Sequence, residues 1–162
     1  MYRRMFQTIL SGGQTGVDRA ALDVALELGI PCRGWCPKGR RAEDGPIDLR
    51  YPLTETPTAA YEERTERNVL DSDGTLVLRG EQHSPGTELT IELAARHAKP
   101  CLLVELFNQS HAAMVRQWAE EHGVRVLNVA GPRASQSPGI YERAHAYLRE
   151  VLAPSKQQSF VQ

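Results

Sequence analysis

Three loops rich in glycine and hydroxyl side chains carry the residues most suited to binding an anion. Each loop is expected to follow a strand and lead into a helix, whose first amides lack partners and favour a negative ligand. Each could also be a tight turn closed by a helix cap, but three such loops meeting at one edge favour an anion site. The loops span 11–16, 80–87 and 130–139. The residues expected at the ligand are Gly12, Gly13, Thr15, Gly16, Ser84, Gly86, Thr87, Gly131, Arg133 and Ser135.

A run of cations in a fourth loop, residues 37–58, would add positive charge to this site. Lys38, Arg40 and Arg41 all precede the first acidic residue of that loop, Glu43. We expect these cations to close over a ligand, although a solvated loop with acidic neighbours is the alternative. On the first interpretation, losing both arginines weakens binding and leaves the melting temperature almost unchanged, because surface charges add little stability.

Two further charged residues lie near the expected site, each with more than one interpretation. Arg64 belongs to a helix predicted at 59–71, where it could face the ligand or pair with a surface glutamate. Asp18 belongs to the first turn of the helix that follows the first loop, where the helix dipole favours a carboxylate. It could cap that helix, accept a hydroxyl from a ligand, or hold a magnesium ion.

Several common sites are excluded by residue type. A Walker loop needs lysine directly after its last glycine, and this chain has Val17 after Gly16. The dinucleotide pattern GxGxxG is also absent from the first loop. Cys32, Cys36 and Cys101 lack the spacing of a zinc site. Apart from the magnesium alternative at Asp18, the residues therefore predict neither a metal site nor a catalytic group.

Apolar runs and helical periods alternate along the chain, and this alternation determines where the loops meet. Strands are expected at 6–10, 32–36, 74–78, 101–105 and 124–129, with helices at 16–28, 59–71, 87–98, 111–122 and 140–152. The pattern predicts an α/β, Rossmann-like, three-layer domain over residues 1–153, with a mainly parallel sheet and helices on both faces. Residues 154–162 are expected to form a flexible tail. In such a sheet every strand-to-helix loop emerges at the carboxyl edge, where ligands bind.

Length and composition narrow the class of protein further. The chain has 162 residues, 41% of them hydrophobic, and a formal net charge of −1. A charge so close to neutral does not indicate binding to nucleic acid. No apolar run approaches the roughly 20 residues that cross a bilayer, so no membrane contact is expected. The unpaired cysteine pattern suits a reducing cytoplasm.

Four stretches of the chain together resemble one known family. They are Ser11–Arg19 (SGGQTGVDR), Gly34–Gly45 (GWCPKGRRAEDG), Tyr51–Thr56 (YPLTET) and Asn128–Arg133 (NVAGPR). With them, residues 6–150 resemble the family named putative molybdenum carrier proteins, which is similar to algal molybdenum cofactor carriers. The resemblance implies a carrier that binds molybdenum cofactor (molybdopterin) or molybdate, with a nucleotide or phosphate as other anionic ligands. It also implies a homo-oligomer, dimer or tetramer, with molybdoenzymes as receiving partners.

The wider superfamily implied by this resemblance includes the lysine-decarboxylase-like (LOG) phosphoribohydrolases and the DNA-processing protein DprA. The LOG enzymes resemble this chain at Arg64 and at the Gly86-Thr87 turn. Their pattern PGGxGTxxE ends in a catalytic glutamate, and Thr90 occupies that position here. This departure favours a carrier without catalysis. A nucleotide-processing enzyme and a sensor of a nucleotide ligand are the alternatives.

Overall fold

The computed structural model describes residues 2–108 and 112–156. The strands are β1 (Tyr2–Arg3), β2 (Thr8–Leu10), β3 (Cys32–Arg33), β4 (Trp35–Cys36), β5 (Thr54–Glu55), β6 (Gly74–Arg79), β7 (Cys101–Glu105), β8 (Val126–Ala130) and β9 (Ser155–Lys156). The helices are α1 (Val17–Glu27), α2 (Tyr61–Asp71), α3 (Pro85–Arg96), α4 (Ala112–Glu121) and α5 (Ile140–Leu152). Of the helix predicted at 111–122, residue 111 lies outside the described residues.

A five-stranded parallel sheet in the order β3-β2-β8-β6-β7 forms the centre of the fold. Helices α1, α4 and α5 pack into the main core on one face, and α2 and α3 form a smaller apolar cluster on the other. The predicted α/β class, with its parallel sheet between two helical layers, is therefore confirmed. The chain runs outward from β2 to β3 on one side and from β6 to β7 on the other. A switch of direction of this kind leaves a crevice at the carboxyl edge.

The strand predicted at 32–36 is instead two short strands separated at Gly34. Strand β3 extends the main sheet, whereas β4 pairs in parallel with β5 from the long loop. Gly34 has a φ of 154°, and a Cβ at this position would collide with the carbonyl oxygen of Ser11. The close approach of these two backbones bends the chain away from the sheet.

The long loop packs onto the domain as an ordered segment. Ala42, Ile47 and Tyr51 are buried against Leu22 of α1 and Cys36 of β4. Because these side chains are withdrawn from water, the loop forms a fixed wall beside the first loop.

The two ends of the described chain meet away from the main sheet. Strand β1 pairs antiparallel with β9, which lies within the segment predicted as a tail. Residues 157–162 of that segment lie outside the described residues. Among the helices that the structure describes, none is long and apolar enough to cross a membrane.

Candidate functional site

A cleft of about 280 Å³ opens at the carboxyl edge of the sheet, where the switch of direction occurs. Its base is the end of β8 with the first loop, and its sides are the first turns of α2 and α3 and the third loop. Six of the residues predicted for the ligand site line this cleft. They are Gly12, Arg64, Ser84, Gly86, Gly131 and Arg133.

Arg64 provides a buried positive charge on the wall of the cleft. It is 7% exposed, and its Nη1 donates to the carbonyl oxygen of Gly12 at 2.8 Å. Its Nε donates to Thr65 Oγ1 at 3.3 Å, and its guanidinium lies 5.1 Å from the ring centre of Tyr61. No hydrogen bond from the described residues involves Nη2, so this nitrogen can donate to a ligand. The neighbouring Arg67 faces the surface and pairs with Glu63 at 3.1 Å.

The first turn of α3 offers backbone amides to the same cleft. Ser84 precedes the helix without capping it, because its hydroxyl donates to Gln136 Oε1 at 2.8 Å. Pro85 has no N–H, and the amides of Gly86 and Thr87 come too early in the helix to have intrahelical partners. The positive end of the helix therefore faces the cleft without a side-chain cap.

Asp18 contributes a buried carboxyl group to the base of the cleft. Its Oδ2 accepts a hydrogen bond from the Gln14 amide at 3.3 Å, so it does not cap the amides of its own helix. Burial raises the pKa of this carboxyl to about 6, against the lowering effects of Arg64, the Gln14 amide and Arg19. Asp18 therefore changes charge close to neutral pH, which gives the cleft a titrating group.

Two predicted site residues, Thr15 and Ser135, bind a carboxylate of the protein itself. The hydroxyl of Thr15 donates to Glu43, and the amide of Ser135 donates to the same carboxylate at 3.1 Å. Arg133 Nε lies 3.5 Å from Glu43 Oε2. Although burial acts to raise it, hydrogen bonds from Ser135 and Thr15 lower the pKa of Glu43. This carboxylate of the long loop thus joins the first and third loops beside the cleft.

The other predicted residues lie outside the lining of the cleft. Gly13 packs against the side chains of Leu53 and Ile47, and Gly16, at φ +80°, lies against the carbonyl of Pro132. Thr87 instead lines a separate cavity of about 80 Å³ formed with the second loop.

Of the three long-loop cations predicted at the ligand, two lie at the surface. Lys38 is exposed. Arg41 donates to the Ala59 carbonyl at 3.1 Å, and its guanidinium lies 4.4 Å from the ring centre of Tyr61, a residue of the cleft wall.

Arg40 holds the long loop together from within. It donates to the carbonyl oxygens of Ile47, Asp48, Tyr51 and Leu53 at 2.8, 2.8, 2.8 and 3.2 Å. Four carbonyl contacts around one guanidinium indicate a structural role, which differs from the ligand contact expected from the sequence. Because the partners of Arg40 are backbone carbonyls and not acidic side chains, the pattern of charges in the sequence could not predict this structural role.

Replacing Arg40 with alanine should lower the free energy of unfolding by about 2–3 kcal/mol. Hydrogen bonds from a charged donor are each worth about 1.5–3 kcal/mol, and the freed carbonyls regain part of this from water. Thermal denaturation of Arg40→Ala beside Arg41→Ala measures the effect, and Arg41→Ala should melt close to the wild type. Equal melting temperatures for both variants would restore the expectation that these arginines are dispensable for stability.

Several residues of the cleft were not predicted as ligand contacts. Gln14 and Gln136 lie inside the first and third loops, so the sequence could have indicated them as residues of the cleft. Asn128 is 3% exposed in a strand of apolar residues, which is unusual enough to mark it in sequence. Thr90, at the position of the LOG glutamate, also lines the cleft, and its hydroxyl donates to the Gly86 carbonyl at 3.0 Å.

Comparison with known proteins finds one matching family and a similar solved structure. The sequence model of the "Circularly permutated YpsA SLOG family" matches residues 9–152. A crystal structure from Syntrophus aciditrophicus SB, named "Putative molybdenum carrier protein", is 46% identical, with a TM-score of 0.89. That match covers 93% of this chain and 97% of the other. The search among curated proteins finds no match.

Proposed function

We propose that this chain, which belongs to the circularly permutated YpsA SLOG family, is a carrier protein. Its cargo is molybdenum cofactor, which it binds in the cleft. The name of the similar structure from Syntrophus aciditrophicus SB supports a molybdenum-related cargo. The observation that carries the proposal is the buried Arg64 beside the open amino terminus of α3.

These two features together suit a phosphate or a molybdenum oxyanion. A guanidinium withdrawn from water interacts with an anion more strongly than an exposed one, because the local dielectric is lower. Its Nη2 carries two N–H donors that no described residue occupies, and charge-assisted hydrogen bonds to an oxyanion are about twice as strong as neutral ones. The amide of Gly86, which lines the cleft, adds a neutral donor and the partial charge of the helix end. Arg133, at the rim, supplies a second cation.

A carrier must also release its cargo, and the arrangement of the cleft suits this need. Arg64 is held by its hydrogen bond to the Gly12 carbonyl and Arg133 by its ion pair with Glu43, so both cations change little when the anion leaves. We infer that molybdoenzymes receive the cofactor from this cleft, and that the protein acts as a homo-oligomer in the cytoplasm. These inferences follow from the carrier role and from the resemblance to carrier proteins.

Replacing Gly86 with alanine should weaken ligand binding without destabilising the protein. A Cβ at this position meets no atom within 4 Å, and it would occupy ligand space beside the α3 amides. Alanine favours a helix by up to about 1 kcal/mol over glycine, so the melting temperature should stay level or rise. We expect affinity for molybdenum cofactor, measured by isothermal titration, to fall at least about tenfold, which is 1.4 kcal/mol.

Ala95→Ser, which also adds one heavy atom but at an exposed position of α3, is the matched control and should bind normally. Mass spectrometry of small molecules released from each variant should find the cofactor with the wild type and the control alone. Full binding by Gly86→Ala would place the ligand elsewhere. Failure of the wild type to bind the cofactor, molybdate or any nucleotide would contradict the proposed function.

A further inference from the structure

We propose that Asp18 selects the heterocyclic part of the ligand, favouring rings that present a ring N–H beside an exocyclic amino group. Guanine and pterins carry this pair of donors, and adenine and hypoxanthine do not. The inference rests on the proposed function, because it concerns the same cleft. It assigns that cleft a second region, separate in chemistry from the cationic region that holds the phosphate.

Asp18 is held in place, and only one of its two carboxylate oxygens accepts a hydrogen bond from the protein. The backbone carbonyl of Asp18 accepts from the Ser11 hydroxyl at 2.8 Å, and its side-chain Oδ2 accepts from the Gln14 amide. Within residues 2–108 and 112–156, no cation lies within ion-pair distance and no donor reaches Oδ1. The group lines the cleft at 7% exposure, so its open oxygen faces the ligand space.

An acid in this position is hard to reconcile with an anion alone. A phosphate beside the ionised carboxylate would be repelled, and the cost would grow with burial. Two N–H donors on one edge of a ring would instead pair with both carboxylate oxygens and compensate for its desolvation. The negative charge of Asp18 therefore fits a neutral, donor-rich edge.

Neighbouring amide side chains complete a pattern that suits such a ring. Asn128 lines the cleft, and because its Nδ2 donates to Thr75 Oγ1 at 3.2 Å, its Oδ1 is left as the acceptor for a ligand. Gln14 Oε1 accepts from the amides of Thr15 and Glu43, which leaves its Nε2 as a donor. A ring that has a carbonyl next to its N–H could use both kinds of group.

Titration with three nucleoside monophosphates tests the inference, because their phosphates are identical. We expect guanosine monophosphate to bind at least about tenfold more tightly than inosine monophosphate, which lacks only the amino group, since an unpaired buried acceptor costs about 1–3 kcal/mol. Adenosine monophosphate should bind no better than the inosine nucleotide. In Asp18→Asn the preference for guanosine should fall to within about threefold, because asparagine replaces one acceptor with a donor.

Glu62→Gln is the matched control, since Glu62 is an exposed carboxylate lining the same cleft. It should keep the preference, and Asp18→Ala should lose it as Asp18→Asn does. Equal affinities of the wild type for the guanosine and inosine nucleotides would overturn the inference, as would a preference that survives Asp18→Asn. Binding of none of the three would overturn it as well. The carrier proposal is decided separately, by the cofactor titration of Gly86→Ala.

Discussion

Replacing Arg64 with alanine is expected to weaken ligand binding by at least about a hundredfold. The Nη2 group of Arg64 has two N–H donors available to the anion, and each charge-assisted hydrogen bond contributes about 1.5–3 kcal/mol, so about 3–6 kcal/mol would be lost. The same change leaves the carbonyl of Gly12 without its donor and opens space where the guanidinium packs. The free energy of unfolding should therefore fall by about 2 kcal/mol. Isothermal titration and thermal denaturation measure the two effects.

Arg67→Ala is the matched control, because it removes the same charge from the same helix. Arg67 pairs with Glu63 and lies 4.7 Å from the ring centre of Trp35, outside the residues that line the cleft. It should bind the ligand normally and lose little stability. Arg64→Lys should recover part of the affinity, since it restores charge without the planar fork. Full affinity in Arg64→Ala would show that this arginine only braces α2 against the first loop.

The main sheet could be predicted because its strands and helices follow local patterns. Strand β7 and helix α5 lie where their periods place them, and the others differ by a few residues at their ends. The split at Gly34 could not be predicted, since it depends on the approach of Ser11 from another strand. The order of the long loop was also hidden, because Ile47 and Tyr51 are buried by contacts distant in sequence.

The location of the candidate cleft could be predicted from the sequence, but only part of its lining could. The three loops do meet at the carboxyl edge, as parallel strands require. The sequence shows which donors are present and not which acceptors satisfy them. Ser135 and Glu43 are 92 positions apart, so their hydrogen bond has no local signal. The acceptors of Arg40 lie within its own loop, but they are backbone carbonyls, which every residue carries, so residue types do not reveal them.

Replacing Asp18 with asparagine is expected to stabilise the protein above pH 6, and by an amount that depends on pH. Burial raises the pKa of this carboxyl from an ordinary value of 3.8 to about 6. Between these values the folded chain holds a proton that the unfolded chain has released, so stability falls as the pH rises through this window. Once the pH is well above 6, Asp18 is ionised in both the folded and the unfolded chain, and the free energy of unfolding no longer changes with this group. Two pKa units correspond to about 3 kcal/mol.

Arg64 on α2 and Arg19 on α1 are the charged groups that act on Asp18, and both remain in the variant. Asparagine keeps an oxygen for the Gln14 amide and carries no charge to bury. The melting temperature at pH 7.5 should therefore rise by about 5–10 °C over the wild type, and the difference should shrink steadily as the pH falls from 6 toward 4. Thermal denaturation across this range measures it, with Glu62→Gln as an exposed control that should show little difference from the wild type. A constant difference across the range would mean that Asp18 titrates normally in the folded protein. The expected pH dependence would show that the buried carboxylate of Asp18 destabilises the folded protein. A residue that lowers stability in a buried cleft is typical of a group needed for binding a ligand.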